Sequence, residues 1–164
     1  MKNLLLICLL VAGSISLANA QTSEKENINT LLNQWHKAAA EANFDAYFSK
    51  MADESIFIGT DPTENWDKQS FMNFSKPYFD KGKAWSFSTL ERNIYTTPDC
   101  DLAWFDELLD TQMGICRGSG VVSKENGSWK VKHYVLSIEI PNENVDEVTL
   151  LKKDFDTALI KKLK

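Results

Sequence analysis

Between residues 85 and 141, apolar and polar positions alternate in four runs separated by turn residues, the period of half-buried strands. The runs are Trp85–Thr97, Leu102–Asp110, Arg117–Lys124 and Ser128–Ile140. Pro98-Asp99-Cys100-Asp101 marks the first turn, Gln112 to Gly114 a looser second one, and Asn126-Gly127 a two-residue hairpin. Upstream the period changes. Ile28, Leu31, Leu32, Trp35, Ala38, Ala39 and Ala42 form one stripe at helical spacing, and Phe44–Met51 continues as a second short helix. Ser55–Gly59 is β-rich, Asp61 to Asp67 carries turn and helix-start chemistry, and Lys68–Phe79 predicts a helix that Pro77 bends or ends early. After Pro141 comes an amphipathic helix with Val145, Val148, Leu151, Phe155, Ala158 and Leu159 on one stripe, acidic in its first turn and basic in its last. That stripe suits an arm docked on its own domain or an oligomer contact. Helices first and a run of strands afterwards make the fold class α+β.

The hairpins fix a register. With Asn126-Gly127 as a two-residue loop, Glu125 faces Ser128, and counting back sets Gly120 opposite His133 and Gly118 opposite Val135. With Asp99-Cys100 as the loop centre, Arg92 falls opposite Glu107. Centring the looser turn on Met113-Gly114 sets Glu107 opposite Gly120, and a slip of two keeps the same face. Arg92, Glu107, Gly120 and His133 then share one face, with Gly120 as a gap between two titratable groups and Phe105, Val131 and Trp129 as apolar wall. The other face receives Trp104, Val121, Tyr134, Leu136, Ile138 and Arg117. Apolar residues on both faces call for cover on both, helices on one side and a second copy of the chain on the other, so a homodimer is expected.

Composition narrows the classes. The chain has 164 residues, 43% hydrophobic and 25% charged, the size and balance of one globular domain. Lys2, the apolar run from Leu4 to Ala12 and Ala18-Asn19-Ala20 read as a signal peptide over residues 1–20, so the mature chain is expected in the periplasm or outside the cell. Losing Lys2 takes the formal charge from −5 to −6, and with no basic block nucleic acid is not an expected partner. No later apolar stretch approaches the roughly 20 residues of a membrane span, so no stable membrane insertion is expected after cleavage. Export favours disulfides, but Cys100 and Cys116 sit at opposite ends of the second long strand, about nine residues at roughly 3.3 Å each apart. Two free thiols, or an intermolecular role for Cys100, are the expectation.

The candidate chemistry is limited. His36 and His133 are the only histidines and the cysteines lack ligand spacing, so no metal site and no cofactor is expected. His36 lies at the edge of the first helical stripe and reads as a packing or surface residue. Arg92 beside Glu107 favours the ionised carboxylate, leaving His133 as the group whose proton moves. Glu64 and Trp66, an acid and an aromatic in the loop before a helix, suit the rim of a ligand site, although Asp61, Asn65 and Asp67 nearby have ordinary turn and cap duties. A cross-strand Arg–Glu pair and a curved, glycine-bearing sheet are also what a purely structural cluster would contain.

The segments Phe57-Ile58-Gly59-Thr60-Asp61 with Glu64-Asn65-Trp66, Ala103-Trp104-Phe105-Asp106-Glu107, Arg117-Gly118-Ser119-Gly120-Val121, and Ser128-Trp129-Lys130-Val131 on to Ile140-Pro141-Asn142 carry a resemblance. Over about residues 28–142 the chain resembles the SnoaL-like branch of the nuclear transport factor 2-like superfamily. The resemblance implies a cone in which helices close one side of a curved antiparallel sheet, with residues 21–142 as the domain and 143–164 as an added C-terminal helix. It implies small apolar or polar ligands in the concavity and dimers through the outer face; with the register and rim residues above, a small, mostly apolar ligand is expected there, bound by Arg92, Phe105, Trp66, Glu64, Gly120 and Trp129. The alternatives it leaves open are an isomerase-, dehydratase- or cyclase-type enzyme using His133 and Glu107, and a homodimeric assembly module. No Asp or Tyr matches the ketosteroid isomerase catalytic set.

Overall fold

The computed structural model describes residues 22–164, and the signal segment read at residues 1–20 lies outside the described residues. Residues 22–40 form helix α1. It closes on Ala42 at φ 51°, where Asn43 N donates to Ala38 O at 2.8 Å and Ala42 N to Ala39 O at 2.9 Å, the paired bonds of a left-handed C-terminal cap. Helix α2, Phe44–Phe48, starts on Asn43, whose side chain accepts from Ala46 N. It is shorter than its apolar pattern predicts because the backbone at Lys50 turns to pair with a distant strand, its carbonyl accepting from Val131 N at 2.9 Å, and Met51 begins strand β1, Met51–Ile58.

Strand β2 is Asn65–Asp67, a segment read from sequence as a loop, and it pairs antiparallel with β1 through Phe57 and Trp66. Asp67 then caps helix α3, Lys68–Asp80, by accepting from Ser70 N; the helix carries Pro77 and buries Phe71, Ser75 and Phe79. The four long strands follow as β3 Phe87–Thr96, β4 Leu102–Thr111, β5 Gly114–Glu125 and β6 Ser128–Ile138. A short 3-10 turn, Asn142–Asn144, leads into helix α4, Val145–Leu163.

The six strands form one sheet in the order β2-β1-β6-β5-β4-β3. The sheet is mixed where an antiparallel one was expected, since β1 lies parallel to β6. The Asn126-Gly127 hairpin forms as read, with Glu125 opposite Ser128 and both loop residues at positive φ, 50° and 78°. One face of the sheet and the stripes of α1 and α3 enclose the core. Trp35 of α1 meets Tyr134 of β6 edge-on at 4.9 Å, and Phe71 of α3 stacks on Phe57 of β1 at 4.0 Å. Helix α4 buries none of its residues; Leu151 is 86% and Leu150 71% exposed. Cys116 is buried in β5, Cys100 lies in the β3–β4 turn at φ 56°, and both are unbridged thiols.

Candidate functional site

Glu107 points from β4 into the core with no exposure at all. Its Oε2 accepts from Arg92 Nε at 2.8 Å and lies 2.7 Å from Nη2, on the neighbouring strand. Oε1 accepts from the Tyr134 hydroxyl at 2.9 Å and lies 2.8 Å from His36 Nε2, which donates because an ionised carboxylate only accepts. Arg92 is in turn held by Asn29 Oδ1 at 2.6 Å, Asn33 Oδ1 at 2.7 Å and Thr89 Oγ1 at 2.8 Å, so its guanidinium ties β3 and β4 to α1. Burial pushes the Glu107 carboxyl up, but His36 and then Arg92 outweigh it and hold the group below its ordinary value. Burial, reinforced by the Glu107 charge, pushes the Tyr134 phenol well above its ordinary value, so it remains a donor.

Arg92 faces Glu107 as expected, and the β4–β5 pairing takes the two-residue slip that keeps the face: Glu107 lies opposite Gly118 and Phe105 opposite Gly120. The β5–β6 register departs from the expected one. Gly120 lies opposite Tyr134 rather than His133, because one extra residue, Lys132, sits on β6 between the pairs Val122–Val131 and Val121–His133. This bulge shifts every later residue of β6 by one. Tyr134 and Leu136 turn into the core, and His133 sits half-buried on the outer face between Val121 and Ile56. The glycine gap is also filled. A Cβ on Gly120 would meet Phe105 Cε1 at 2.9 Å, and one on Gly118 would meet Glu107 Cγ at 3.0 Å and the Tyr134 hydroxyl closer still. Gly118 makes room for the Tyr134–Glu107 bond, and neither glycine floors an open space.

Phe105 is 3% exposed in the core, and Trp129 is buried at the other end of the sheet with its indole N–H on Glu24 at 2.6 Å. Glu64 and Trp66 do line a cavity, one of about 290 Å³ opening between α3, the β1–β2 connection, the segment before β3 and the β4–β5 turn. Its wall is a set of nearly parallel rings: Trp66 stacks on Phe74 at 4.5 Å and on Phe71 at 5.5 Å, and Phe71 stacks on Trp85 at 5.6 Å. Phe57, Phe87, Met113 and Leu136 add apolar wall, and Tyr78, Thr60, Lys83 and Gln112 complete the lining. Phe87 stands between this cavity and the buried cluster, its ring edge-on to His36 at 5.8 Å.

Sequence reasoning thus brought Arg92 and Glu107 together and picked Glu64 and Trp66 for the rim. It missed His36, although His36 lies four residues beyond Leu32 and eight beyond Ile28 on the buried stripe. It missed Tyr134 because the bulge was not counted, and the signal was Lys132-His133, two adjacent polar residues between the apolar Val131 and Tyr134. Phe71, Phe74 and Tyr78 recur at helical spacing and read from sequence as the buried side of α3, but Phe74 and Tyr78 are 41% and 49% exposed and line the cavity with Phe71; their convergence with Trp66 and Trp85 is set only by the fold.

No curated protein matches the chain significantly. Among solved structures it is similar to a nuclear transport factor 2-like protein of unknown function from Pseudomonas putida, with 16% identity, a TM-score of 0.62 and coverage of 76% of this chain and 92% of that one. A protein from Streptomyces avermitilis, provisionally named a dehydratase of the same family, matches at 11% identity and TM-score 0.61 over 74% of this chain and 99% of that one. Another from Novosphingobium aromaticivorans, provisionally named an aromatic ring hydroxylase, gives 13%, 0.63, and 73% and 92% coverage. At these identities the likeness establishes the nuclear transport factor 2-like fold. A family model for the SnoaL-like domain matches residues 28–141, the span that holds both the buried cluster and the ring-lined cavity. The chain belongs to the SnoaL-like domain family.

Proposed function

We propose that this protein binds a small, largely aromatic molecule in the cavity walled by Trp66, Phe71, Phe74 and Trp85. The observation that carries this reading is the separation of the two sites. The rings form an open pocket whose lining is mainly apolar, while Glu107, the candidate catalytic carboxylate, lies behind Phe87 with its lone pairs taken by Arg92, His36 and Tyr134. A general base works best when tuned upward toward neutrality and open to its substrate, and Glu107 is held downward and enclosed. Acid–base catalysis through Glu107 and His133 is therefore the weaker reading, because the bulge also turns His133 to the opposite face. Stacking on several rings favours a flat ligand over a branched aliphatic one.

The test is titration calorimetry with 2-naphthalenemethanol, a neutral flat probe. Saturable one-site binding is expected, weakened about tenfold by Phe74→Ala, which removes about 1.4 kcal/mol of stacking and burial from the pocket wall. Phe74 is 41% exposed, so its loss leaves the core standing. Binding indifferent to Phe74 overturns the proposal, as does absence of binding by this probe and by its carboxylate and ammonium analogues alike.

The homodimer expected from sequence is also a proposal. Its support is the outer face of the sheet, where Tyr95 and Trp104 stack at 5.8 Å while remaining 44% and 49% exposed, with Ile115 exposed beyond them.

A further inference from the structure

We infer that the ligand of the ring-lined cavity is an aromatic carboxylate, its ring on the aromatic wall and its carboxylate at the mouth on Lys83; this rests on the binding reading above. Two charged residues line the cavity, Glu64 and Lys83, and they are differently committed. Glu64 is folded back over Gly59, where its carboxylate occupies the space a Cβ would take, and its Oε2 accepts from Asp61 N at 3.2 Å. Glu64 N is itself bonded to Asp61 O at 2.9 Å, so the carboxylate belongs to the turn it caps. Among the described residues the Lys83 ammonium enters no ion pair and no hydrogen bond; only its backbone N–H is used, donating to Tyr78 O at 3.1 Å. Lys83 is exposed, lines the cavity and sits directly before Ala84 and Trp85, where a long side chain can lay its stem on the apolar wall and keep its head in water.

The remaining polar lining can donate as well, through the Gln112 amide and the Thr60 and Tyr78 hydroxyls. A lining with one uncommitted cation, three further donors and a carboxylate already held by its own turn favours an anionic head group over a cationic one. A planar carboxylate joined to a ring keeps head and body in one plane, matching a slot between nearly parallel rings. At about 290 Å³ the cavity lies at the small end of ligand pockets, which run to roughly 1,000 Å³, and so suits a molecule of one or two fused rings.

The experiment titrates the full chain by calorimetry with three probes of one body and different heads: 2-naphthoate, 2-naphthalenemethanol and 2-naphthylmethylammonium. The expected result is that naphthoate binds about tenfold more tightly than the alcohol, and the ammonium compound more weakly than either. Raising the salt concentration should weaken naphthoate alone, and Lys83→Gln should lower naphthoate affinity about tenfold so that its advantage disappears. If the alcohol or the ammonium compound binds as well as naphthoate, the carboxylate assignment falls while the aromatic pocket stands. If naphthoate is preferred but Lys83→Gln keeps that preference, the assignment to Lys83 falls. If none of the three binds, the binding reading itself falls.

Discussion

Glu107 is a buried carboxylate whose neighbours satisfy it, and its value to the molecule is the joining of three elements. Arg92 reaches it from β3, Tyr134 from β6 and His36 from α1. Replacing it with glutamine keeps the shape but leaves the Arg92 guanidinium, 4% exposed, without its counter-charge and sets an amide N–H against donors. Removing one partner of a buried pair costs about 3–5 kcal/mol, and Glu107→Gln is expected to lose that much in urea unfolding at neutral pH. The pH dependence has a definite sign. Because the folded carboxyl is held below its ordinary value of 4.5, the unfolded chain takes up the proton first as pH falls. The stabilisation is complete above that value and is lost as pH drops through it toward the folded pKa, so the stability difference between wild type and Glu107→Gln should shrink on acidification. A difference that stays constant between neutrality and strong acid would mean that the carboxylate contributes no charge-dependent stability. At this scale the sequence was half legible. The pairing of Arg92 with Glu107 followed from a short turn, but choosing between His36 and His133 required knowing which side of β6 faces inward.

That choice was made one level up, by the bulge at Lys132. Short turns with a fixed centre transmit register along regular strands, so β3–β4 from Glu91 onward and the start of β5–β6 could be counted from Asp99-Cys100 and Asn126-Gly127. An extra residue breaks the count, and everything beyond it changes face. The length of the β4–β5 turn was likewise open by two residues, an error that preserved the face and merely exchanged Gly118 for Gly120. Both glycines are constrained, Gly120 by the His133 carbonyl oxygen and the Phe105 ring and Gly118 by the buried cluster itself. Alanine at Gly118 collides with the Tyr134 hydroxyl and crowds Glu107 Cγ, both parts of a packed network, and should cost about 1–3 kcal/mol in thermal or denaturant unfolding. The C-terminal cap of α1 supplies a substitution of the opposite sign. Ala42 holds φ 51°, which costs an L-residue roughly 1–2 kcal/mol, whereas glycine adopts it freely at a smaller entropic cost. Ala42→Gly should therefore raise stability by about 0.5–1 kcal/mol, and a loss of stability would contradict the cap assignment.

On the scale of the whole molecule, the helices cover one face of the sheet and leave the other open. The outer face holds Trp104 and Tyr95 as a stacked, half-exposed pair beside the ion pairs of Arg117 with Glu139 and Asp106. Helix α4 offers little cover: Val148 and Lys152 line a groove together with Ile58 and Val135 at the β1–β6 end, while Val145, Leu151 and Phe155 of its stripe stay exposed. Apolar alternation on both faces and the outward position of Trp104 were plain in the sequence, but the face of Tyr134 and Leu136 was not, because the bulge turns them into the core. Burying the remaining pair, Tyr95 and Trp104, at the centre of a two-fold contact would protect a continuous patch, and a stable interface needs roughly 1,200–2,000 Å² in total. Trp104 lies on that face near the β3–β4 turn, on the strand next to the sheet edge, and is half-exposed in one copy. Trp104→Glu places an unpaired charge in the contact while leaving the core intact, so sedimentation equilibrium should report a dimer for wild type and a monomer for the variant, with unchanged circular dichroism. A monomeric wild type, or a variant that still sediments as a dimer, would remove the outer face as the site of self-association and leave Tyr95 and Trp104 as a surface for some other molecule.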